Sequence, residues 1–478
     1  MKRKIKVLYV TAEISPYANA GGLGEVGRSF AKGLEEAGNI EVRRVMPLYK
    51  NITGKMKYLN NFPVAMGKEF DTCVVRSDSE NKDIITYFIE NDRYFYRDNI
   101  YGYEDDGLRF FFFCRAVVEM LKVIPYKPDI IHTNDWHTGF LPLLIQREFP
   151  NIKTVYTIHN IAYQGFVPPI YLEDILSETE IYQLGWPEWL NFMKAGIIYS
   201  DLLTTVSPGY CEEIVEPLKS FGMSSLIEQR RNGMIGILNG IDTKSYDPAK
   251  DGVLEYPFDV KSIEDKKKNR TALRLKYDLP DTEVPLISMV TRLDYVKGID
   301  LLIKVLHRLD LKTFQLIILG TGNPYYQGML SNMASEYSDN LAVDFNYSSD
   351  LAKTIYAASD INLMPSQSEP CGLGQMYAMR YGAVPIVNPV GGLKDTVIED
   401  TEHPQKSTGF YMEEWSGEAL ATAIQRAIEV YHTAGWNALV KNGMKFDFSW
   451  KRSISEYKKL YEELLNKPSL KLDSVSFT

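Results

Sequence analysis

Arg292 and Lys297 lie in the turn after the apolar run PLISMV. Further on, PSQSEPCGLGQMYAMRYG (365–382) reads as a strand end, a turn and a helix from about Gly372. Backbone N–H groups at such a helix start are unpaired, and the helix dipole adds positive potential, so an anion is favoured there. Gly372 and Gly374 let it approach the backbone closely. Two cations at the same sheet edge would complete a diphosphate site. Taken alone, the turn is an ordinary helix start with Ser368 as N-cap and Pro370 in the first turn, and either cation alone is surface charge in a loop. Their convergence with Gly320-Thr321-Gly322 and Gly391-Gly392, also at strand ends, favours the diphosphate. Glu369 would repel phosphate, so it is assigned to sugar hydroxyls, against the alternative of an acid favoured near a helix N-terminus.

In the first half, Gly21, Gly22 and Gly24 fall between a strand and a helix, where a phosphate-cradling turn belongs. Their spacing is not GxGxxG followed by a ribose-binding acid, which disfavours a nicotinamide site. His132, Asp135, His137 and His159 could suggest a metal, yet their spacing fits neither HExxH nor a zinc pattern. The chain has no Asp-x-Asp, Gly-x-Ser-x-Gly or GxxxxGK[ST] sequence. No metal and no cofactor are expected, and hydrolase and nucleotidase readings are weakened.

The elements that must position these residues follow from length and periodicity. With 478 residues the chain can build at least two cores. A net charge of −9 argues against a nucleic-acid partner. KKKNR, 266–270, reads as the solvated start of a helix. Cys73, Cys114, Cys211 and Cys371 are widely spaced, as in a reducing compartment. Glu13 interrupts the N-terminal apolar run and no stretch is long enough to span a bilayer, so a cytoplasmic protein without a membrane partner is expected. KIKVLYVTAE is a buried strand, EVGRSFAKGLEEAG a helix with Val26, Phe30 and Leu34 on one stripe, and IEVRRVMPLY a second strand. Residues 65–90 suggest a hairpin and 109–124 a buried helix; polar residues then collect at the strand ends His132–Asp135, His159–Asn160 and Thr205–Ser207. A second alternation starts near 284. The expected fold class is α/β, two doubly wound Rossmann-like domains facing a central cleft. The expected limits are 1–244 for the first domain, 245–283 for a linker and 284–449 for the second domain. A terminal helix belongs to 450–478, with the tail after Pro468 expected to fray.

DWHTGFLPLL, YTIHNIAYQG, LNGID, TRLDYVKGIDLL, LMPSQSEPCGLGQMYAMRYGAVPIV and GGLKDTV occur in that order. Together they resemble the motif set of bacterial glycogen synthases and plant starch synthases, over residues 5 to about 460. The resemblance implies a GT-B hexosyltransferase that moves glucose from ADP-glucose, sometimes UDP-glucose, to the non-reducing end of an α-1,4-glucan, with retention and without a metal. It also implies that Arg292 and Lys297 grip the diphosphate and that Glu369 contacts glucose. Gly372, Leu373 and Gly374, beside Cys371, would offer backbone N–H groups to the phosphates. His159 would lie against the anomeric centre, Asp135, Asn160 and Asn239 would shape the glucose and acceptor sites, and Tyr347 would stack on the base. Gly21 and Gly22 join the donor-binding set. The terminal helix is expected to return to the first domain.

This chain departs from the family pattern at a few positions. Asn19 stands where the family has Lys, Glu25 where it usually has Asp, Gln367-Ser368 where it has Arg-Phe, and Gly374 where it has Thr. All lie at the donor diphosphate or the adjacent sugar. A lost charged contact is worth roughly 1.5–3 kcal/mol, so donor choice and rate are where these departures should act. Two other readings remain: a paralogue with another donor or a small acceptor, and a glucan- or nucleotide-sugar-binding protein with little turnover.

Overall fold

The computed structural model describes residues 3–78 and 84–467; the tail expected to fray after Pro468 lies outside them. The chain divides into two compact units, Met1–Gly240 with Trp450–Thr478, and Ile241–Ser449.

Among the described residues the first unit carries a nine-stranded sheet. Its order is Met234–Gly236, Leu202–Thr205, Lys153–Ile158, Ile130–Asn134, Ile5–Val10, Ile40–Pro47, Thr86–Glu90, Glu69–Ser77 and Lys57–Met66. The first seven pair in parallel, and the last two add antiparallel at the edge. The hairpin expected within 65–90 is therefore Lys57–Met66 with Glu69–Ser77, while Thr86–Glu90 joins the parallel ladder through Ile40–Pro47. Parallel strands covered on both faces need near-continuous apolar sequence, and Ile130–Asn134 and Lys153–Ile158 are buried at every residue. Chain order reverses between Ile5–Val10 and Ile130–Asn134. In open α/β sheets the loops beyond such a pair diverge and leave room for a ligand.

The second unit repeats the plan with six strands among the described residues. The order is Leu341–Asp344, Gln315–Leu319, Leu286–Val290, Ile361–Met364, Val384–Val387 and Phe410–Tyr411, all parallel. Numbered along the chain this is 3-2-1-4-5-6, and the switch point falls between Leu286–Val290 and Ile361–Met364. Residues 245–283 belong to this unit and include the helix Lys266–Lys276. The basic run at its start is solvated at Lys267 and Lys268, as expected, but not at Lys266 and Arg270. Lys266 is buried and donates to the carbonyls of Tyr356, Ala357 and Tyr381 at 2.7–3.0 Å, and burial pulls its pKa down to about 7. Arg270 is buried against both oxygens of Asp360. Helix ends supply the carbonyls that satisfy the ammonium, a partner that no local charge pattern announces.

The helix Gly22–Glu36 buries Val26, Phe30 and Leu34, the stripe the periodicity marks. Against it packs the terminal helix Lys451–Leu465, within the first unit. Phe30 meets Tyr457 at 4.8 Å and Trp450 at 5.3 Å between ring centroids. Gly33 makes the approach possible, since a Cβ there would sit 3.0 Å from Ile454. Tyr461 hydroxyl and His132 Nδ1 are 2.6 Å apart, and His132 Nε2 meets Thr157 Oγ1 at 2.6 Å. Tyr461→Phe is expected to strand a buried imidazole nitrogen and to cost about 1–3 kcal/mol, read as a lower urea midpoint with an unchanged m-value.

Candidate functional site

In the second unit the loop after Leu286–Val290 carries Arg292 and Lys297, and the loop after Ile361–Met364 carries Glu369 to Gly374. The Gln367 N–H donates to the Val296 carbonyl at 2.8 Å, tying the two loops by backbone. Lys297 Nζ lies 2.6 Å from Glu369 Oε2, with side-chain exposures of only 17% and 11%. The Ser366 hydroxyl donates to the same oxygen at 3.0 Å. The cation assigned to phosphate and the acid assigned to sugar are thus direct partners. Arg292 reaches Asp294 at 3.6 Å and is more than half exposed. Asp294 also caps the Lys297 amide at 3.1 Å.

The helix begins at Gly374, not near Gly372, and its N-cap is Leu373 without a side-chain cap. Ser368 is therefore not the N-cap, and Pro370 lies in the preceding turn rather than the first helical turn. Tertiary contacts hold that turn. The Gly392 N–H donates to the Glu369 carbonyl at 3.0 Å, and Gln375 Nε2 donates to the carbonyls of Cys371 and Gly372. Gly372 has φ 71, a conformation that suits glycine. Gly391 has φ 45, and a Cβ there would lie 2.2 Å from the Glu369 carbonyl oxygen. Gly391→Ala is expected to cost roughly 1–3 kcal/mol from backbone conformation alone and more from that clash, read as a fall of several degrees in Tm. Tyr347 follows Leu341–Asp344 and is exposed.

In the first unit, Asp135 follows Ile130–Asn134 at φ 56, ψ −179, a strained conformation for any residue but glycine. Its Oδ1 accepts the amides of His159 at 2.8 Å and Asn160 at 3.1 Å. Burial pushes its pKa up to about 7, opposed by those two bonds and assisted by Glu13. His159 Nε2 lies 2.9 Å from Asn134 Oδ1, which also accepts from the Tyr9 hydroxyl. Because that oxygen only accepts, the proton sits on Nε2 and Nδ1 is left an acceptor. Burial lowers the His159 pKa to about 3, although part of its surface stays open. Asn239 is buried, its amide on the Val206 carbonyl.

The glycine loop shows a partner that composition conceals. Buried Glu13 accepts the amides of Ala20 at 2.5 Å and Gly21 at 3.2 Å, and the Tyr101 hydroxyl at 2.6 Å. A carboxylate therefore occupies N–H groups that an anion could otherwise use. Asn19 Nδ2 donates to Glu25 Oε1 at 3.2 Å, so two of the departures from the family pattern bond to each other. Gly22 opens the following helix. His132 and His137 do not join the set: His132 is held by Tyr461 and Thr157, and His137 stacks on Tyr101 at 4.8 Å between centroids. Among the described residues no cluster of three or more His, Cys, Asp or Glu could hold a metal. None of the four cysteines is paired, and no described helix is long and apolar enough to cross a membrane.

Two doubly wound units, each with its own switch point, are the architecture of the GT-B fold. Residues 6–229 match the starch synthase catalytic domain, and residues 272–442 match glycosyl transferases group 1. The glycogen synthase of Moorella thermoacetica is 40% identical over 98% of this chain and 98% of its own. That of Anoxybacillus flavithermus is 40% identical over 96% and 98%. The catalytic domain of starch synthase IV from Arabidopsis thaliana, solved bound to ADP and acarbose, superposes with a TM-score of 0.90. It is 32% identical and covers 97% of this chain and 100% of that one. The chain belongs to the glycogen synthase family of hexosyltransferases.

Proposed function

We propose that the protein transfers glucose from ADP-glucose to the non-reducing end of an α-1,4-glucan. The observation that carries this reading is the switch point of the second unit, where the loop of Arg292 and Lys297 is tied to the loop that leads into the turn Cys371–Gly374. As the bond from glucose C1 to the diphosphate oxygen breaks, negative charge grows on the leaving ADP, and fixed cations stabilise it more than they stabilise the bound donor. Lys297 then divides its charge between Glu369 and the diphosphate, while Glu369 orients the sugar hydroxyls. His159, neutral at working pH and positioned through Asp135 and Asn134, borders the anomeric carbon and offers an acceptor nitrogen rather than a charge. Asp135, Asn160 and Asn239 shape the glucose and acceptor sites, and Tyr347 lies under the base.

ADP bound to the starch synthase IV relative supports the adenine donor. The Asn19–Glu25 hydrogen bond, where the family places a lysine, is the specific reason to include UDP-glucose. The test incubates the protein with ADP-glucose or UDP-glucose and glycogen, maltotetraose or a small acceptor, measuring nucleoside diphosphate release and glucan length. Elongation with ADP-glucose is expected. Faster transfer from UDP-glucose would reassign the donor, and no incorporation from either would refute the reading.

A further inference from the structure

The helix Ser349–Ala358 places Tyr356 with its ring buried at 4% exposure and its hydroxyl at Gly374. A Cβ on Gly374 would lie 3.4 Å from that hydroxyl oxygen and 3.3 Å from Met364 Sδ. The phenol thus fills the space that a side chain at 374 would take, at the end of the turn Cys371–Gly374. Among the described residues, the Tyr356 hydroxyl makes no hydrogen bond to protein. The hydroxyl is not one of the enclosed polar atoms left without a partner, so although the ring is buried its oxygen keeps an opening through which a ligand atom can accept from it. Burial first, then the nearby Tyr347 and Tyr246, hold the phenol above its ordinary pKa. It is therefore a donor throughout the physiological range.

We propose that Tyr356 is a donor-binding residue whose hydroxyl donates a hydrogen bond to a phosphate oxygen of the nucleoside diphosphate at Gly374. In this chain the hydroxyl comes from a neighbouring helix, which is why glycine suffices at position 374. The inference rests on the assignment of the diphosphate to the turn Cys371–Gly374.

The test measures ADP binding by calorimetry to the full chain and to Tyr356→Phe, Gly374→Thr, the double variant and Arg292→Ala. Loss of one hydrogen bond to a charged acceptor is expected to raise the Kd of Tyr356→Phe roughly tenfold to a hundredfold. Its Tm should not change, because no protein hydrogen bond is lost. Gly374→Thr added to Tyr356→Phe, where the phenol oxygen has gone, is expected to recover most of that loss. The same change in the parent meets the Tyr356 hydroxyl and is expected to bring no gain in affinity. Unchanged ADP affinity in Tyr356→Phe, with Arg292→Ala impaired, overturns the proposal and leaves the diphosphate assignment standing. Unchanged affinity in both overturns the assignment and the proposal with it. A fall in Tm that accompanies the lost affinity, with no recovery in the double variant, makes the hydroxyl structural and also overturns the proposal.

Discussion

Lys297→Met is expected to lower kcat/KM for ADP-glucose by roughly 10²–10³-fold, the usual effect of removing one preorganised group aimed at developing charge. Among the described residues, the same change leaves Glu369 with a single neutral donor, the Ser366 hydroxyl at 3.0 Å. That carboxylate is 11% exposed. Breaking a buried pair by removing one partner costs about 3–5 kcal/mol, so Lys297→Met should also melt earlier. The two effects separate in the double variant Lys297→Met with Glu369→Gln. Neutralising the acid is expected to restore most of the Tm and none of the rate. If the rate returned with the Tm, Lys297 would be a structural partner of Glu369 only, with no part in stabilising the leaving group.

Asp135 carries the second large effect. Its carboxylate fixes the amides of His159 and Asn160, and a misplacement near 1 Å at a reacting centre costs on the order of 10²-fold in rate. Asp135→Ala removes the acceptor while keeping the strained φ of 56°, so a loss of at least about 10²-fold in kcat is expected. Asp135→Gly relieves the strain and should be more stable than the Ala variant by roughly 1–3 kcal/mol, with no gain in rate. The pH dependence has a definite sign. The native pKa of about 7 lies above the unfolded value near 3.8, so between them the folded state holds a proton that the unfolded state has lost. Stability from this group is complete below the unfolded pKa and declines as pH rises to about 7. Asp135→Asn has no such titration. Its Tm relative to the parent should therefore climb between pH 4 and 7 and level off above. A constant difference would show that the native carboxyl does not hold the proton.

The second sheet was readable as a parallel array because its strands are unbroken apolar runs separated by helical periods; their order was not, since it is set by contacts between strands far apart in sequence. The cations and the glycine turn were readable because each sits directly after such a strand. Less visible were contacts between residues far apart in sequence. Nothing near Glu369 announces that its carboxylate meets Lys297, and the turn before Gly374 takes its shape from Gly391 and Gly392. Local capping rules therefore set the helix start too early. Glu13 looked like a mere interruption of an apolar run, yet it binds two amides of the glycine loop. Tyr356 belongs to an unremarkable helical stripe, and only the approach of Gly374 gives its hydroxyl a use. Lys266 and Arg270 read as solvated because a charge run usually is; helix-end carbonyls and Asp360 account for their burial.

The first unit leaves the chain at Gly240 and resumes at Trp450, with the whole second unit between. During synthesis the stripe of Phe30 and the Ile454-facing surface of Gly33 must wait for Lys451–Leu465 to emerge. At roughly 5–20 residues per second that wait is on the order of twenty to ninety seconds. The second unit is contiguous and has all its strands before the terminal helix exists. The nascent protein therefore presents a finished C-terminal half beside an N-terminal half with an uncovered aromatic seam. That seam is the part of the newborn chain most in need of a chaperone, and a premature stop before residue 450 would leave it exposed for the life of the polypeptide.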